Sequence, residues 1–276
     1  MKRFFIFMII LLIDLDAKEF TTYKVELQSL DFSNSTQKRE GKRYNFAITQ
    51  HIDRHKMSFY YSKTKTDTYK PPLPRDLDVD KYSFLYSYQL KENLSLKSSY
   101  VTIDDNLVKT DGGHIYGLGT RYKNINFMQF FSNYHEFDIY QSDLSVGFKQ
   151  KLANLNTKTV FIAKYLNLKD HKSNPLSKNA QKDYLTIGIN LHTFYRGYHG
   201  GVGAYFGKRV FAVMEEGLKV QHHGMEFEST YMLSIGKKME KYNLGLKYIH
   251  MKATELPKLN EGVIVRNLIF TFEIRL

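Results

Sequence analysis

Apolar and polar residues alternate with a period of two along most of this chain. In residues 81–90, KYSFLYSYQL, every even-numbered position is aromatic or apolar, and the odd-numbered positions are polar except for Leu85. Residues 43–52, 185–191 and 225–235 follow a similar pattern. Because neighbouring side chains of a β-strand point to opposite faces, the pattern predicts strands with one apolar face and one polar face.

Fourteen segments carry this pattern over the length of a strand. The predicted strands are residues 20–33, 43–53, 57–66, 81–90, 94–104, 115–124, 125–137, 140–150, 157–168, 184–195, 200–212, 220–236, 242–253 and 263–276. Short connections are predicted at 53–56, 91–93, 122–124, 151–156, 196–200 and 237–242. Longer polar loops are predicted between them at 34–42, 67–80, 105–114, 169–183, 213–219 and 254–262.

Short turns at one rim and longer loops at the other, joining strands of about ten residues, are typical of a transmembrane barrel. A tilted strand crosses a bilayer in about 9–11 residues, so these segments have a suitable length. We therefore predict an all-β fold, a transmembrane antiparallel up-and-down β-barrel of about 14 strands, with about 12 to 16 possible. The rival architecture is a soluble two-sheet sandwich, which would bury the Tyr and Phe face in its core.

The first residues of the chain have the features of a secretory signal peptide. Lys2 and Arg3 precede ten apolar residues, and a short polar stretch then ends at the small residue Ala17. Ten residues in a helix span roughly 15 Å, which is half of a hydrocarbon core of about 30 Å, so a membrane-spanning helix is disfavoured. We predict a signal peptide at 1–17 and a barrel at 18–276, with export to the bacterial outer membrane.

The chain ends on an alternating strand, LIFTFEIRL, at residues 268–276. An unpaired backbone group in lipid costs several kcal/mol, so a sheet that spans a membrane must have no free edge. This segment is therefore predicted to close the barrel by pairing with both its predecessor and the first strand. It resembles the C-terminal signal of bacterial outer-membrane β-barrel proteins, and the resemblance implies recognition of 268–276 by the barrel-assembly machinery. The strand count is similar to that of the monomeric fourteen-stranded porins.

Composition narrows the possible partners. The absence of cysteine excludes disulfides and thiolate metal sites, and no cofactor is predicted. The formal charge of +12 would suggest nucleic acid for an intracellular protein, but for an exported one anionic lipid, lipopolysaccharide and anionic solutes are the better candidates. The 21 Tyr and 20 Phe fit aromatic girdles at the two membrane interfaces, although Trp is absent.

The polar faces of the strands are predicted to line the interior. The inward bases are then Arg43, Lys81, Lys97, Arg121, Lys149, Lys164, Arg209, Lys247 and Arg275, and the inward acids are Asp143, Glu226, Glu228 and Glu273. A lumen is expected with fourteen strands unless loops fold into it. Because rings of Lys and Arg favour anions, the leading hypothesis is a porin-like passive channel for small hydrophilic solutes that prefers anions. Alternatively, the bases and acids pair and only satisfy a polar interior.

Other functions remain open. A lipid- or lipopolysaccharide-modifying enzyme would need a nucleophile and a base, for which the inward His51 and His192 are candidates. Alternatively, the protein is an adhesion or structural barrel whose basic loops, such as 169–182, touch lipopolysaccharide. A carrier of hydrophobic compounds plugged at its N-terminus is disfavoured, because only two or three mature residues would precede the first strand. His222 and His223 are not predicted to bind a metal, since adjacent strand residues point to opposite faces.

Overall fold

The computed structural model describes residues 20–71, 73–106, 110–170, 179–256 and 258–276. In this part of the chain, fourteen antiparallel strands form one closed barrel. They are β1 (Phe20–Ser33), β2 (Lys38–Ile52), β3 (His55–Thr68), β4 (Leu77–Lys91), β5 (Leu94–Asp105), β6 (His114–Tyr122), β7 (Ile125–Asn133), β8 (Phe137–Leu152), β9 (Leu155–Asp170), β10 (Asp183–Tyr195), β11 (Tyr198–Arg209), β14 (Met225–Lys238), β15 (Tyr242–Glu255) and β16 (Asn260–Arg275). A separate short hairpin comprises β12 (Val213–Met214), a 3-10 turn at Glu215–Gly217, and β13 (Lys219–Val220).

The last strand closes the sheet as predicted. β16 pairs with β15 on one side and with β1 on the other, in a register that runs from Thr22 opposite Arg275 to Ser33 opposite Ile264. Two backbone hydrogen bonds join Thr21 and Leu276, at 3.0 and 2.9 Å between nitrogen and oxygen. The predicted barrel of fourteen strands is therefore confirmed, and the predicted signal peptide at 1–17 lies outside the described residues.

The connections alternate in length as predicted, with one large difference. Strands meet in two or three residues at one end, which we call the short-turn end. At the other, the loop end, the β7–β8 connection also has three residues and the other connections have four or more. The sequence predicted strands over 200–212 and 220–236, but β11 ends at Arg209 and β14 begins at Met225. Residues 210–224, here called the inserted segment, enter the barrel, because Val210, Phe211 and Val213 are buried against apolar residues of the wall.

The outer face is apolar along the middle of the strands and charged near the loop end. Leu118, Leu233 and Phe161 point outward, with 69%, 59% and 50% of their surfaces exposed. At the loop end, outward charges form ion pairs, such as Arg266 with Asp31 at 2.9 Å between nitrogen and oxygen. An apolar belt with polar margins is the surface that a lipid bilayer requires of a barrel. Among the described residues, no helix is long and apolar enough to cross a membrane.

The interior is not polar throughout, which corrects the sequence-based assignment of faces. On β1, Leu30 and Phe32 are buried inside the barrel, whereas Ser29 and Asp31 are exposed outside it. Near the loop end, apolar side chains of the wall and of the inserted segment form two clusters. The first contains Leu77, Val79, Val101, Ile103, Ile115, Met128, Phe130, Tyr134, Phe137, Ile139, Leu166, Leu168, Tyr184, Val210, Phe211, Ala212, Val213, Val220 and Leu256, and the second contains Leu30, Phe32, Met225, Phe227, Met251, Ala253, Val263 and Val265.

A register shift on β14 explains one local error in the sequence analysis. Met225 and Phe227 were predicted to face outward together with Tyr231, but the shift between Phe227 and Ser229 changes which residues share a face. Both Met225 and Phe227 are therefore buried in the second cluster, while Tyr231 is exposed. An extra residue in one strand of a pair inverts the alternation beyond it.

The position of the membrane belt on the outer face can be tested by placing the same charge at two different levels along the barrel. Leu233→Arg should lower the free energy of unfolding in lipid vesicles by about 2–4 kcal/mol, because an arginine would face the hydrocarbon core. Ser29→Arg, on the outer face near the loop end, should cost no more than about 1 kcal/mol. The measurement is a urea titration of each variant in the same vesicles. Equal costs at both positions would contradict the assigned membrane belt.

Candidate functional site

The inserted segment closes the loop end of a cavity inside the barrel. The cavity has a volume of about 450 Å³, and its lining includes residues of the inserted segment and of the strands. The ionisable lining residues are Arg43, Asp143, Lys164, His192, Arg209, Glu215, Glu216, Lys219, His223 and Lys247. A polar cavity within a membrane barrel is the natural place for a hydrophilic ligand or solute, so we take it as the candidate site.

The first part of the inserted segment is an apolar anchor. Residues 210–213 are at most 1% exposed and pack in the first apolar cluster. Gln141 of β8 fixes the end of the anchor, because its side-chain amide donates to the carbonyl of Val213 and accepts from the backbone N–H of Val213, both at 2.8 Å. Lys164 of β9 donates to the same carbonyl at 3.0 Å and pairs with Asp143. The anchor therefore buries its apolar surface, and the backbone N–H and C=O of Val213 both have partners.

The middle of the inserted segment carries charge into the cavity. Lys219 forms ion pairs with Glu26 of β1 at 3.1 Å and with Glu215 at 3.0 Å, and Glu216 pairs with Lys97 of β5 at 2.7 Å. Although burial lowers the pKa of Lys219, the combined attraction of Glu215, Tyr60 and Glu26 outweighs it and raises that pKa above its ordinary value. Ion pairs to β1 and β5 hold this part of the segment across the barrel.

The backbone of the 3-10 turn explains why a glycine follows the two acids. Glu215, Glu216 and Gly217 have positive φ values of 50°, 60° and 104°. A Cβ at position 217 would lie 2.5 Å from the Cβ of Ser99, so a side chain there would collide with β5. Glycine allows both the left-handed backbone and the close approach to the wall.

The last part of the inserted segment places two histidines side by side. Their ring centroids are 4.3 Å apart, so the prediction that they point to opposite faces of a strand was wrong. Lys81 Nζ lies 2.9 Å from Nδ1 of His222, and Arg43 Nη2 lies 3.2 Å from Nε2 of His223. Lys38 donates to the carbonyl of His223 at 2.6 Å.

Both imidazoles are neutral in this arrangement. Burial and the nearby cations, Lys81 at His222 and Lys38 at His223, hold the pKa of each ring well below its ordinary value. Cations are poor neighbours for a metal site, and the described residues contain no group of three or more His, Asp or Glu able to hold a metal ion.

The structure separates the predicted lining residues into three groups. Arg43, Lys164, Arg209, Lys247 and Asp143 line the cavity. Lys81 and Lys97 contact the inserted segment instead. The remaining bases lie near the short-turn end. Arg121 donates to the carbonyl of Lys123, and Lys149 is paired with Lys158 across the sheet. The guanidinium of Arg275 lies over the ring of Phe20. Glu273 lies there too, opposite Lys24.

The two glutamates predicted to line the lumen on β14 do not line the cavity. Because Phe227 points inward, Glu228 lies on the other face and pairs with Lys252, whose side chain is 52% exposed. Glu226 is buried at the loop end, where it accepts a hydrogen bond from the hydroxyl of Tyr184 at 2.6 Å and pairs with Lys208. The register shift on β14 explains the outward position of Glu228. Glu226 instead stays buried beside Tyr184 of the first apolar cluster, away from the cavity lining.

Several charged residues of the site were missed in the sequence. Glu26 follows the alternation of β1 and could have been recognised as an inward acid. Glu215, Glu216 and Lys219 lie in the segment 213–219 that was predicted as a polar loop, so no periodicity marked them. The candidate catalytic histidines are not brought together: His192 is on β10, at the cavity, and His51 is on β2, where its ring stacks on Phe20 at 4.1 Å.

Comparison with known proteins identifies the fold. No family model and no curated protein matches the sequence. The structure is similar to the outer membrane protein Omp33 of Acinetobacter baumannii, with a TM-score of 0.54 and 9% identity over 93% of this chain and 99% of that chain. It is also similar to a bacterial polysaccharide outer membrane secretin, with a TM-score of 0.58 and 8% identity over 95% of this chain and all of the other. The chain thus has the fold of bacterial outer-membrane β-barrel proteins.

The attachment of the anchor can be tested at Gln141. Gln141→Leu should leave the buried N–H and C=O of Val213 with fewer partners, which costs about 1–3 kcal/mol for each unpaired group. Hydrogen exchange of the Val213 amide should therefore accelerate by at least about tenfold. Gln129→Leu is the matched control, because Gln129 lies on the outer face and accepts a hydrogen bond from Ser142 at 2.6 Å, away from the inserted segment. Unchanged exchange in the Gln141 variant would contradict the anchoring role.

The histidine pair predicts a pH dependence with a definite sign. Above about pH 6.5 the rings are neutral whether packed or released, so packing has no proton-linked cost. Below that pH the released segment binds protons that the packed segment does not, so packing becomes less stable as pH falls. Hydrogen exchange at residues 219–224, corrected for intrinsic rates, should be faster at pH 5 than at pH 7.5. The double variant His222→Gln, His223→Gln should lose this difference, whereas equal protection of the unmodified protein at both pH values would contradict the neutral packing of the rings.

Proposed function

We propose that this protein is an outer-membrane channel for small hydrophilic solutes, that it prefers anions, and that the inserted segment restricts passage through it. The observation that carries the proposal is the charge balance of the cavity. Each lining acid has a basic partner: Asp143 with Lys164, Glu215 with Lys219, and Glu216 with Lys97. Within the described chain, Arg43, Arg209 and Lys247 also line the cavity and have no carboxylate within 4.0 Å.

Two of these bases are held by neutral groups. Arg43 donates to the hydroxyl of Thr64 at 2.8 Å, and Arg209 donates to the side-chain carbonyl of Gln221 at 3.0 Å. Neutral partners fix the geometry of a guanidinium without cancelling its charge. In the alternative hypothesis, every inward base is paired with an acid. This holds for Lys97, Lys164 and Lys219, but not for Arg43, Arg209 and Lys247. A surplus of fixed positive charge in a confined, weakly screened space favours anions over cations.

The same proposal includes the route to the membrane. Residues 1–17 would be removed as a signal peptide, and the closing strand would present residues 268–276 to the barrel-assembly machinery. The outer-membrane location is supported by the fold and by the apolar outer belt. Lipid and lipopolysaccharide would contact that belt and the charged groups above it. The predicted basic loop at 169–182 lies mostly outside the described residues.

Ion selectivity tests the proposal directly. Purified protein in planar bilayers should give conductance steps, and its reversal potential in a salt gradient should have the sign of anion preference. Lys247→Gln should move the reversal potential toward the cation side, because it removes a cavity charge that has no ion-pair partner. Lys252→Gln, on the outer face, is the control with the same charge change and should leave the potential unchanged.

The outcomes separate the parts of the proposal. Absence of conductance steps from correctly folded protein would remove the channel, and a cation-selective unmodified protein would remove only the preference. Folding is checked by a shift in the migration of unboiled protein on detergent gels. Replacement of residues 212–222 by a short Gly-Ser linker should raise the single-channel conductance if the inserted segment restricts passage.

A further inference from the structure

The apolar filling of the barrel is interrupted on one part of the wall. On β2 and β3 the inward positions near the loop end are polar, and we call Lys38, Arg43, Asn45, Ser62, Thr64 and Thr66 the polar seam. The paired positions follow the seam across the sheet, with Thr64 opposite Arg43 and Thr68 opposite Lys38. The neighbouring strands are apolar at the same level, with Leu30 of β1 opposite Gly41 and Leu77 of β4 opposite Thr66. The seam therefore separates the two apolar clusters.

The seam is buried but incompletely bonded. Ser62 and Thr66 are 1% and 0% exposed, and neither hydroxyl has a hydrogen-bond partner in the structure. Asn45 Oδ1, which also belongs to the seam, has no hydrogen-bond partner either. The same is true of Nε2 of His222 and Nδ1 of His223, two rings that cover the seam from the inside. Buried polar atoms without partners are costly, and five of those found in the described residues gather here, where the wall is polar rather than apolar.

The inserted segment is held differently on its two sides. Its anchor at 210–213 packs within the first apolar cluster and bonds Gln141 through its backbone. Its other end contacts the wall through polar groups, with His223 on Arg43 and Lys38 of the seam and His222 on Lys81 of the neighbouring β4, and through one apolar ring, Phe32, whose centroid lies 5.4 Å from that of His223. Opening at the histidine end would therefore expose few apolar contacts, whereas opening at the anchor would expose many. Local opening follows the side with less buried apolar surface.

Basic residues surround the histidine end. They are Lys38 and Arg43 of the seam and Lys81 of β4 beside it, and in the described part of the chain none of the three has a carboxylate within 4.0 Å. Arg43 also lines the cavity, so the seam and the cavity are continuous at this residue. We infer that small anions pass between the cavity and the loop end along the polar seam, between β2–β3 and the histidine end of the inserted segment, while the anchor stays in place. This inference rests on the proposed channel function.

Cysteine accessibility tests the route, because the chain has no cysteine of its own. Ser62→Cys places a thiol in the seam with almost no change in shape. Ser132→Cys is the matched control, since Ser132 is 0% exposed, points inward and lies between Ile115 and Ile139 of the apolar side. In vesicles, a small sulfonate-bearing thiosulfonate reagent should modify position 62 at least about tenfold faster than position 132. A cationic reagent of similar size should show a smaller difference.

Modification gives a second readout in planar bilayers. An attached sulfonate at position 62 should lower the conductance of the channel, and the same treatment of the Ser132 variant should not. Equal or slower modification at position 62 would overturn the route even if the protein conducts. Fast modification at position 62 in a protein that gives no conductance steps would support anion entry to the seam and overturn the channel function. If Ser62→Cys fails the gel-migration test for folding, Thr66→Cys replaces it with the same expected result.

Discussion

Closure of the backbone hydrogen-bond network is the constraint on which the rest of this structure depends. In lipid an exposed strand edge would leave backbone groups without partners, at several kcal/mol each. The pairing of β1 with β16, which extends to Thr21 and Leu276, removes that edge. Once the sheet is closed, each residue must face either outward or inward. The burial of the strand side chains, and the position of the strand charges that line the cavity, follow from that choice and from the register that fixes it.

The interior shows how one barrel can hold both a core and a cavity. Near the loop end, inward apolar residues such as Phe130 and Leu166 pack around the anchor of the inserted segment, as in the core of a soluble domain. Nearer the short-turn end, small and polar residues such as Gly201, Ser234 and Asn190 leave space. Apolar burial therefore stabilises the inserted segment, while the cavity keeps the volume that a solute needs. The boundary between the two regions is where Val213 is held by Gln141 and Lys164.

The charged groups have two distinct roles. Lys164, Lys219 and Lys97 pair with acids and connect the inserted segment or its supports to the wall. Arg43 and Arg209 instead keep neutral partners, and their charge remains available to the cavity. The neutral imidazoles at positions 222 and 223 belong to neither group. They separate Lys81 from Arg43, and their protonation would add positive charge where cations already converge. These differences link a local packing arrangement to the selectivity and the pH response of the whole barrel.

The sequence by itself determined the barrel, its fourteen strands, the closing role of β16 and the inward position of Arg43, Lys164, Arg209 and Lys247. These features follow from a period of two residues and from the exclusion of free edges, which are local or general constraints. Only the tertiary structure decided that residues 210–224 fold inward, that Glu226 and Glu228 do not line the cavity, and that the two histidine rings lie side by side. The same alternation of apolar residues is expected whether lipid or another segment of the chain covers the apolar face. In addition, a single register shift exchanges the inward and outward faces of the strand beyond it. The contents of the lumen therefore depend on contacts between residues far apart in the chain, which no periodicity records.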